Sequence, residues 1–192
     1  HTHGRPARRL DSVGAGWRVT TDGGTFDADA LVVATAGWTP DLLGTDLGAA
    51  VELPSITVTT EVAAYFRPRT DMAWPCWCHR LEPEVYGLPS PDGLVKVAEH
   101  GTGVVTHPDE RSFDPPAATL DRLAAYVARW LPGVEPGVVR STTCLYASTP
   151  TDDLVMDRTG SLVLGVGLGG HGFKFGPAVG ERLADLADRA LG

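Results

Sequence analysis

The sequence predicts a mixed α/β and α+β chain in which one α/β domain is interrupted by an antiparallel-sheet domain. Three observations predict it. Ala30-Leu31-Val32-Val33-Ala34 and, much later, Ser161 to Val166 are apolar runs that run straight into glycine-bearing turns, as strands buried on both faces of an α/β sheet do. Between them, residues 51–99 carry period-two apolar patterns separated by turn signals, which suit an antiparallel sheet. Segments with helical spacing follow that region and close the chain. On this reading residues 1–48 and 138–192 form the α/β part, and residues 49–137 form the inserted sheet domain with its helix.

Each element has a local reason. Trp17 to Thr21 and Thr25 to Phe26 flank Asp22-Gly23-Gly24, which supplies the positive φ of a tight hairpin turn. The stretch before them reads as polar coil, and with no Met at its head the chain is expected to start inside a larger protein. The run ending at Ala34 leads into Thr35-Ala36-Gly37, where glycine permits close backbone approach, and a short helix is expected from Pro40 to Leu43. Ile56, Val58, Val62, Ala64 and Phe66 share one parity and therefore one sheet face. Val85 to Leu88 and Leu94 to Glu99 are strands around Pro89-Ser90-Pro91-Asp92-Gly93, a strong turn. Trp74, Cys76 and Cys78 alternate onto what reads as a buried strand face. Asp114-Pro115-Pro116 starts a helix, with Asp as cap and Pro in the first turn. Leu120, Leu123, Ala124, Val127, Trp130 and Leu131 follow at helical spacing, which puts Trp130 in the core, and Pro132-Gly133 stops the helix. A terminal helix runs from about Ala178 to Leu191, with Val179, Leu183, Leu186 and Ala190 on one face.

Composition removes whole classes. A net charge of −8 with scattered bases argues against a nucleic-acid-binding face. A 43% hydrophobic content is that of a globular domain, not a disordered one. No apolar run approaches the roughly 20 residues of a membrane span. Three cysteines make no disulfide framework, so a reducing cytoplasm is expected. The bases are skewed: of 16, only Lys96 and Lys174 are lysine. Lysine is a compact point charge whose pKa moves on burial, whereas arginine is planar and always charged.

Three motifs need weighing. Gly165-Val166-Gly167-Leu168-Gly169-Gly170 matches the dinucleotide fingerprint, yet the acid required about 20 residues on would fall in the terminal helix, so that reading is rejected. A glycine-rich loop feeding a helix N-terminus still favours negative charge, and it is equally a tight strand-to-helix turn. Cys76-Trp77-Cys78-His79 lacks the second ligand pair of a zinc site, so no metal is expected. Cys144, in Thr142-Thr143-Cys144-Leu145-Tyr146, reads alone as a buried small hydrophobe.

Taken together, three segments carry a resemblance. They are Tyr86-Gly87-Leu88-Pro89 with Gly93-Leu94-Val95-Lys96-Val97-Ala98-Glu99-His100, then Thr143-Cys144-Leu145-Tyr146, then Gly169-Gly170-His171-Gly172-Phe173-Lys174-Phe175-Gly176-Pro177. In this order they resemble the C-terminal half of the monomeric sarcosine oxidase and N-methyltryptophan oxidase family, FAD-dependent amine oxidases of the D-amino acid oxidase/glycine oxidase superfamily. Val32-Val33-Ala34-Thr35-Ala36-Gly37-Trp38 resembles that superfamily's strand and glycine turn against the FAD. The resemblance covers about Trp17 to Leu186.

The resemblance implies the fold of an FAD-binding α/β domain interrupted by a substrate domain, and it implies roles. Cys144 matches the cysteine that holds the flavin through a thioether, and Lys96 the lysine that activates dioxygen. His100, Tyr86 and Tyr146 match polar residues around the substrate. Lys174 matches a lysine for the substrate carboxylate. Gly37, Trp38, Gly169, Gly170, His171, Gly172 and Phe173 fall in the flavin-side segments. The implied reaction oxidises a secondary amine or N-methyl amino acid to an imine and reduces O₂ to hydrogen peroxide. The superfamily's N-terminal βαβ unit for the ADP part of FAD is absent from this sequence, as is its N-terminal basic pair. The chain alone is therefore expected to be inactive and to present a sheet edge and apolar faces to a missing FAD-binding segment. Two other readings stay open: a dehydrogenase with a non-oxygen acceptor, and a non-catalytic module dependent on a partner chain.

Overall fold

Among residues 4–192, which the computed structural model describes, twelve strands and four α-helices form. In chain order they are β1 (Ala7–Val13), β2 (Gly16–Thr21), β3 (Gly24–Ala28), β4 (Leu31–Val33), α1 (Thr39–Leu42), α2 (Asp46–Ala50), β5 (Thr57–Pro68), β6 (Trp77–His79), β7 (Val85–Pro89), β8 (Val95–Glu99), β9 (Val104–Val105), α3 (Ala117–Trp130), β10 (Val134–Ser148), β11 (Val155–Thr159), β12 (Leu162–Val166) and α4 (Gly176–Leu191). The chain divides into two units, one holding the described residues up to Thr57 together with Ala147–Gly192, the other Val58–Tyr146.

In the first unit, β1, β2 and β3 form an antiparallel meander. The Asp22-Gly23 turn closes β2 onto β3, with Thr21 opposite Gly24. β1 replaces the coil expected there: its charged residues hide a strand whose Leu10 is buried opposite Val19. A second sheet has the order β11-β12-β4, antiparallel between β11 and β12 and parallel between β12 and β4. β12 is buried throughout, as its apolar run predicts. β4 is not: it sits at the sheet edge, and its central Val32 is 44% exposed. In the turn after β4, the residue with the left-handed backbone is Ala36 (φ 45°), and Gly37 is simply buried. α4 spans the terminal helix, with Val179 and Leu186 buried. Gly165 lets Leu183 of this helix pack closely, and a Cβ there would make the Leu183 side chain shift.

The second unit is a sheet of order β10-β5-β8-β7-β6, with β9 also on β5. β5, β8, β7 and β6 pair antiparallel. The turn joining β7 to β8 is the expected one: Pro89 lies opposite Val95, and Gly93 takes φ +82°. One sheet face packs on α3, burying Ala64, Phe66, Val85, Val95 and Val97 with Leu123, Val127 and Val134. The Arg122 guanidinium of α3 donates to the buried Glu99 carboxylate at 2.7 Å. Three expectations need correcting. Asp114 does not cap α3, because the two prolines delay the helix to Ala117 and no side chain caps it. Trp130 is 44% exposed, edge-on to His79 at 5.1 Å. Cys76 and Cys78 are exposed, because Trp77 is the residue turned to the core; its ring fills the space that a Cβ at Gly87 would need.

Candidate active site

Strand parity assembles the site. In β8, Val95 and Val97 face α3, so Lys96 and Ala98 face the other way. The register sets Lys96 between Tyr65 of β5 and Leu88 of β7, and Tyr86 opposite Ala98. The Lys96 ammonium lies 5.5 Å from the Tyr86 ring centroid. His100 continues β8, its backbone N–H donating to the Glu84 carbonyl at 2.9 Å. Its ring lies edge-on to Tyr86 at 6.4 Å and tilted to Tyr146 at 5.6 Å. The hydroxyls of Tyr86 and Tyr146 are 3.5 Å apart. Cys144 precedes Tyr146 by two residues on β10 and so shares its face.

The electrostatics follow from burial. Burial pushes the Tyr146 phenol well above its ordinary range, and the hydrogen bond with Tyr86 adds to this, so it stays protonated. Burial also raises the half-buried Cys144 thiol; Lys96 and Arg111 pull it back down while Glu61 pushes it further up. Sequence reasoning missed Glu61 and Arg111. The signal for Glu61 was a lone acid in the middle of a strand whose only other charge, Arg67, lies near its end. A clamp beside the site was also missed. Arg140 of β10 stacks on Tyr65 at 3.4 Å and donates to Asp92 in the β7–β8 turn at 2.8 Å.

Lys96, His100, Tyr86, Tyr146 and Cys144 thus come together within the second unit. The remaining predicted residues belong to the first. There the turn holding Gly37 and Trp38 leaves the C-terminal end of β4, and the loop from Gly167 to Phe175 leaves that of its parallel neighbour β12. Ligands of open α/β sheets bind outside the carboxyl ends of the strands. Gly167 (φ +72°) and Gly169 (φ +50°) take the left-handed backbone that favours glycine, and the Gly169 N–H donates to the Ala147 carbonyl at 3.0 Å. His171 closes onto the Leu168 carbonyl at 3.1 Å, Gly172 packs on Leu168, and Gly170 is exposed. Phe173 is fully exposed, and the exposed Lys174 has its ammonium 5.5 Å from the Phe175 ring.

These residues suit a flavin. The half-buried thiol is a fitting thioether donor. The glycine loop runs through a 3₁₀ turn into the sixteen-residue α4, whose N-terminal N–H groups favour an anionic group. Among the described residues, no cluster of three or more His, Cys, Asp or Glu is arranged to hold a metal, and no helix is long and apolar enough to cross a membrane.

Comparison with known proteins points the same way. A family model described as FAD dependent oxidoreductase matches residues 2–186. The monomeric sarcosine oxidase of Streptomyces avermitilis is 33% identical over 95% of this chain and 50% of its own length. The peroxisomal sarcosine oxidase of Homo sapiens is 32% identical over 95% of this chain and 50% of its own. Among solved structures, NikD, described as an unusual amino acid oxidase essential for nikkomycin biosynthesis, is 27% identical and superimposes with a TM-score of 0.79 over 96% of this chain and 51% of its own. The chain therefore spans about half the length of these relatives.

Proposed function

The chain belongs to the FAD-dependent oxidoreductase family, and from that premise we propose that the protein carrying it oxidises a secondary amine or N-methyl amino acid to an imine and reduces O₂ to hydrogen peroxide. The observation that carries this reading is the gathering of Lys96, Tyr86, His100, Tyr146 and Cys144 on one sheet face.

FAD, when bound, supplies the acceptance of two electrons from the amine and their passage to oxygen. This chain would supply part of the rest. Within the second unit Cys144 would hold the flavin through its sulfur; within the first, Gly37, Trp38, Gly169, Gly170, His171, Gly172 and Phe173 are the residues proposed for flavin binding. Lys96 provides a fixed positive charge where oxygen gains negative charge, and such preorganised charge lowers a barrier most in a water-poor site. A compact ammonium concentrates that charge better than a guanidinium. Tyr146, held protonated, is a hydrogen-bond donor toward the substrate, and Tyr86 and His100 orient it. Lys174 would take the substrate carboxylate. The second unit carries the other proposed substrate residues on this reading, and the cysteine usage suits a reducing cytoplasm.

The test uses the whole protein and follows the two half-reactions separately by flavin absorbance. Lys96→Met should slow reoxidation by O₂ by about 10²-fold or more while flavin reduction by sarcosine stays within a few-fold. Equal loss in both halves refutes the oxygen role. A wild type reduced rapidly by amine but reoxidised only by a quinone or protein acceptor establishes the dehydrogenase reading instead.

A further inference from the structure

Glu61 is a buried carboxylate to which the mechanism above assigns no role. It lies on β5 with the same parity as Ala63 and Tyr65, so it faces the same side as Lys96, and it is only 2% exposed. One oxygen, Oε1, accepts a hydrogen bond from the Thr59 hydroxyl at 2.6 Å. Gly103 packs so closely on the carboxylate that a side chain there has no room. The other oxygen, Oε2, is buried with no hydrogen-bond partner among the described residues. Such a group is costly to keep, because burial strips its hydration and nothing replaces it.

The neighbouring strand supplies a residue on the same sheet face. β10 pairs with β5. Thr143 of β10 lines one cavity together with Thr60 and Val62 of β5. Alternation then turns the residues next to them, Cys144 and Glu61, onto the opposite and shared face. The charge of Glu61 reaches the Cys144 thiol, as do those of Lys96 and Arg111. Of these three groups, only the carboxylate is built to accept a proton. A buried thiol needs such a partner, because the thiolate is the nucleophile and the thiol is not.

We propose that Glu61 accepts the Cys144 proton when the flavin is attached, a role that rests on the assignment of Cys144 as the attachment residue. The S–H proton passes to Oε2 and Sγ forms a bond to the carbon of the flavin 8-methyl group. That carbon loses one hydrogen as a proton, and the electron pair of the broken C–H bond enters the flavin ring. Dioxygen then takes up that pair and the two released protons and leaves as hydrogen peroxide.

The whole protein, produced under riboflavin limitation and then mixed with FAD, tests this by the mass and in-gel fluorescence of the denatured chain. Wild type gains a covalent flavin, and Cys144→Ser gains none. Glu61→Gln should bind FAD yet form the adduct about 10²-fold more slowly, and Glu61→Asp should fall between. Should the Gln variant fail to fold in a thermal melt, the Asp variant alone decides, by forming the adduct more slowly than wild type or at its rate. An adduct formed at the wild-type rate in the folded variants overturns the role of Glu61 and leaves Cys144 standing. A wild type that gains no covalent flavin overturns both.

Discussion

The hydroxyls of Tyr86 and Tyr146, sixty residues apart in sequence, lie 3.5 Å from one another in the second unit. β7 and β10 are separated in the sheet by β8 and β5, so only side chains rising from the same face can meet in this way. Tyr146→Phe removes one hydroxyl and little else. Steady-state kinetics of the whole protein should show kcat/KM for the amine lowered by about tenfold, with the flavin spectrum retained. An unchanged kcat/KM would remove Tyr146 from the substrate site.

The thiol of Cys144 responds to its neighbours with opposite signs. Burial raises it first, Lys96 lowers it and Glu61 raises it. In the flavin-free protein its alkylation by iodoacetamide, followed peptide by peptide to separate it from the exposed Cys76 and Cys78, should therefore begin only at alkaline pH. Lys96→Met should move the profile to higher pH and Glu61→Gln to lower pH. Shifts in the same direction for both variants would contradict the electrostatic picture.

Gly87 has no room for a side chain beneath the Trp77 ring. Gly87→Ala should lower the unfolding free energy by about 1–3 kcal/mol, the usual cost of overpacking. Denaturant titration measures this, and Trp77→Leu in the same background should recover part of the loss. A Gly87→Ala variant as stable as wild type would mean that Trp77 moves freely.

Arg122 satisfies both oxygens of the buried Glu99 from the more exposed side of α3. Arg122→Ala leaves that carboxylate without its charged donor and should destabilise the protein by about 2 kcal/mol. Arg122→Met, which keeps the aliphatic stem, should be no better, which separates lost charge from lost packing in the same titration.

Asp92 titrates in an acid window. The Ser90 hydrogen bond, and then the Arg140 guanidinium, lower its pKa from an ordinary 3.8 to about 2. A carboxylate with a depressed folded pKa stabilises fully above its unfolded value and loses that contribution as pH falls. The contribution of the clamp to the thermal midpoint should thus be present above pH 3.8 and vanish as pH falls through about 2. Asp92→Asn should flatten that part of the pH profile.

Local signals were legible wherever backbone chemistry decides the structure. The Asp22-Gly23 and Pro89 to Gly93 turns form as their residues dictate, and so does the helical stripe of Leu123 and Val127. Cys76 and Cys78 show where legibility stops. A three-residue strand has too few positions to fix its parity, and Trp77 claims the core by filling the notch at Gly87, a contact made across strands. Asp114 misleads because capping residues carry signal only when nothing intervenes, and two prolines do. Of the candidate site, the lysine, tyrosines and thiol were expected from a family likeness, and the structure sets them on one sheet face. Glu61 was not, because its meaning depends on the strand beside it.

β8 is five residues long and gives opposite chemistries to its two sides. Val95 and Val97 belong to the apolar layer, and Lys96 to the tyrosines. For a gene that drifts by gaining and losing codons, this makes the strand a two-letter alternation with a strict reading rule. Loss of a single codon inside it would exchange the letters, sending the ammonium into the packed layer and an isopropyl group out to the aromatic hydroxyls. Loss of two would shorten the strand yet preserve which side each chemistry occupies. Within this strand, length changes are tolerable only in even steps.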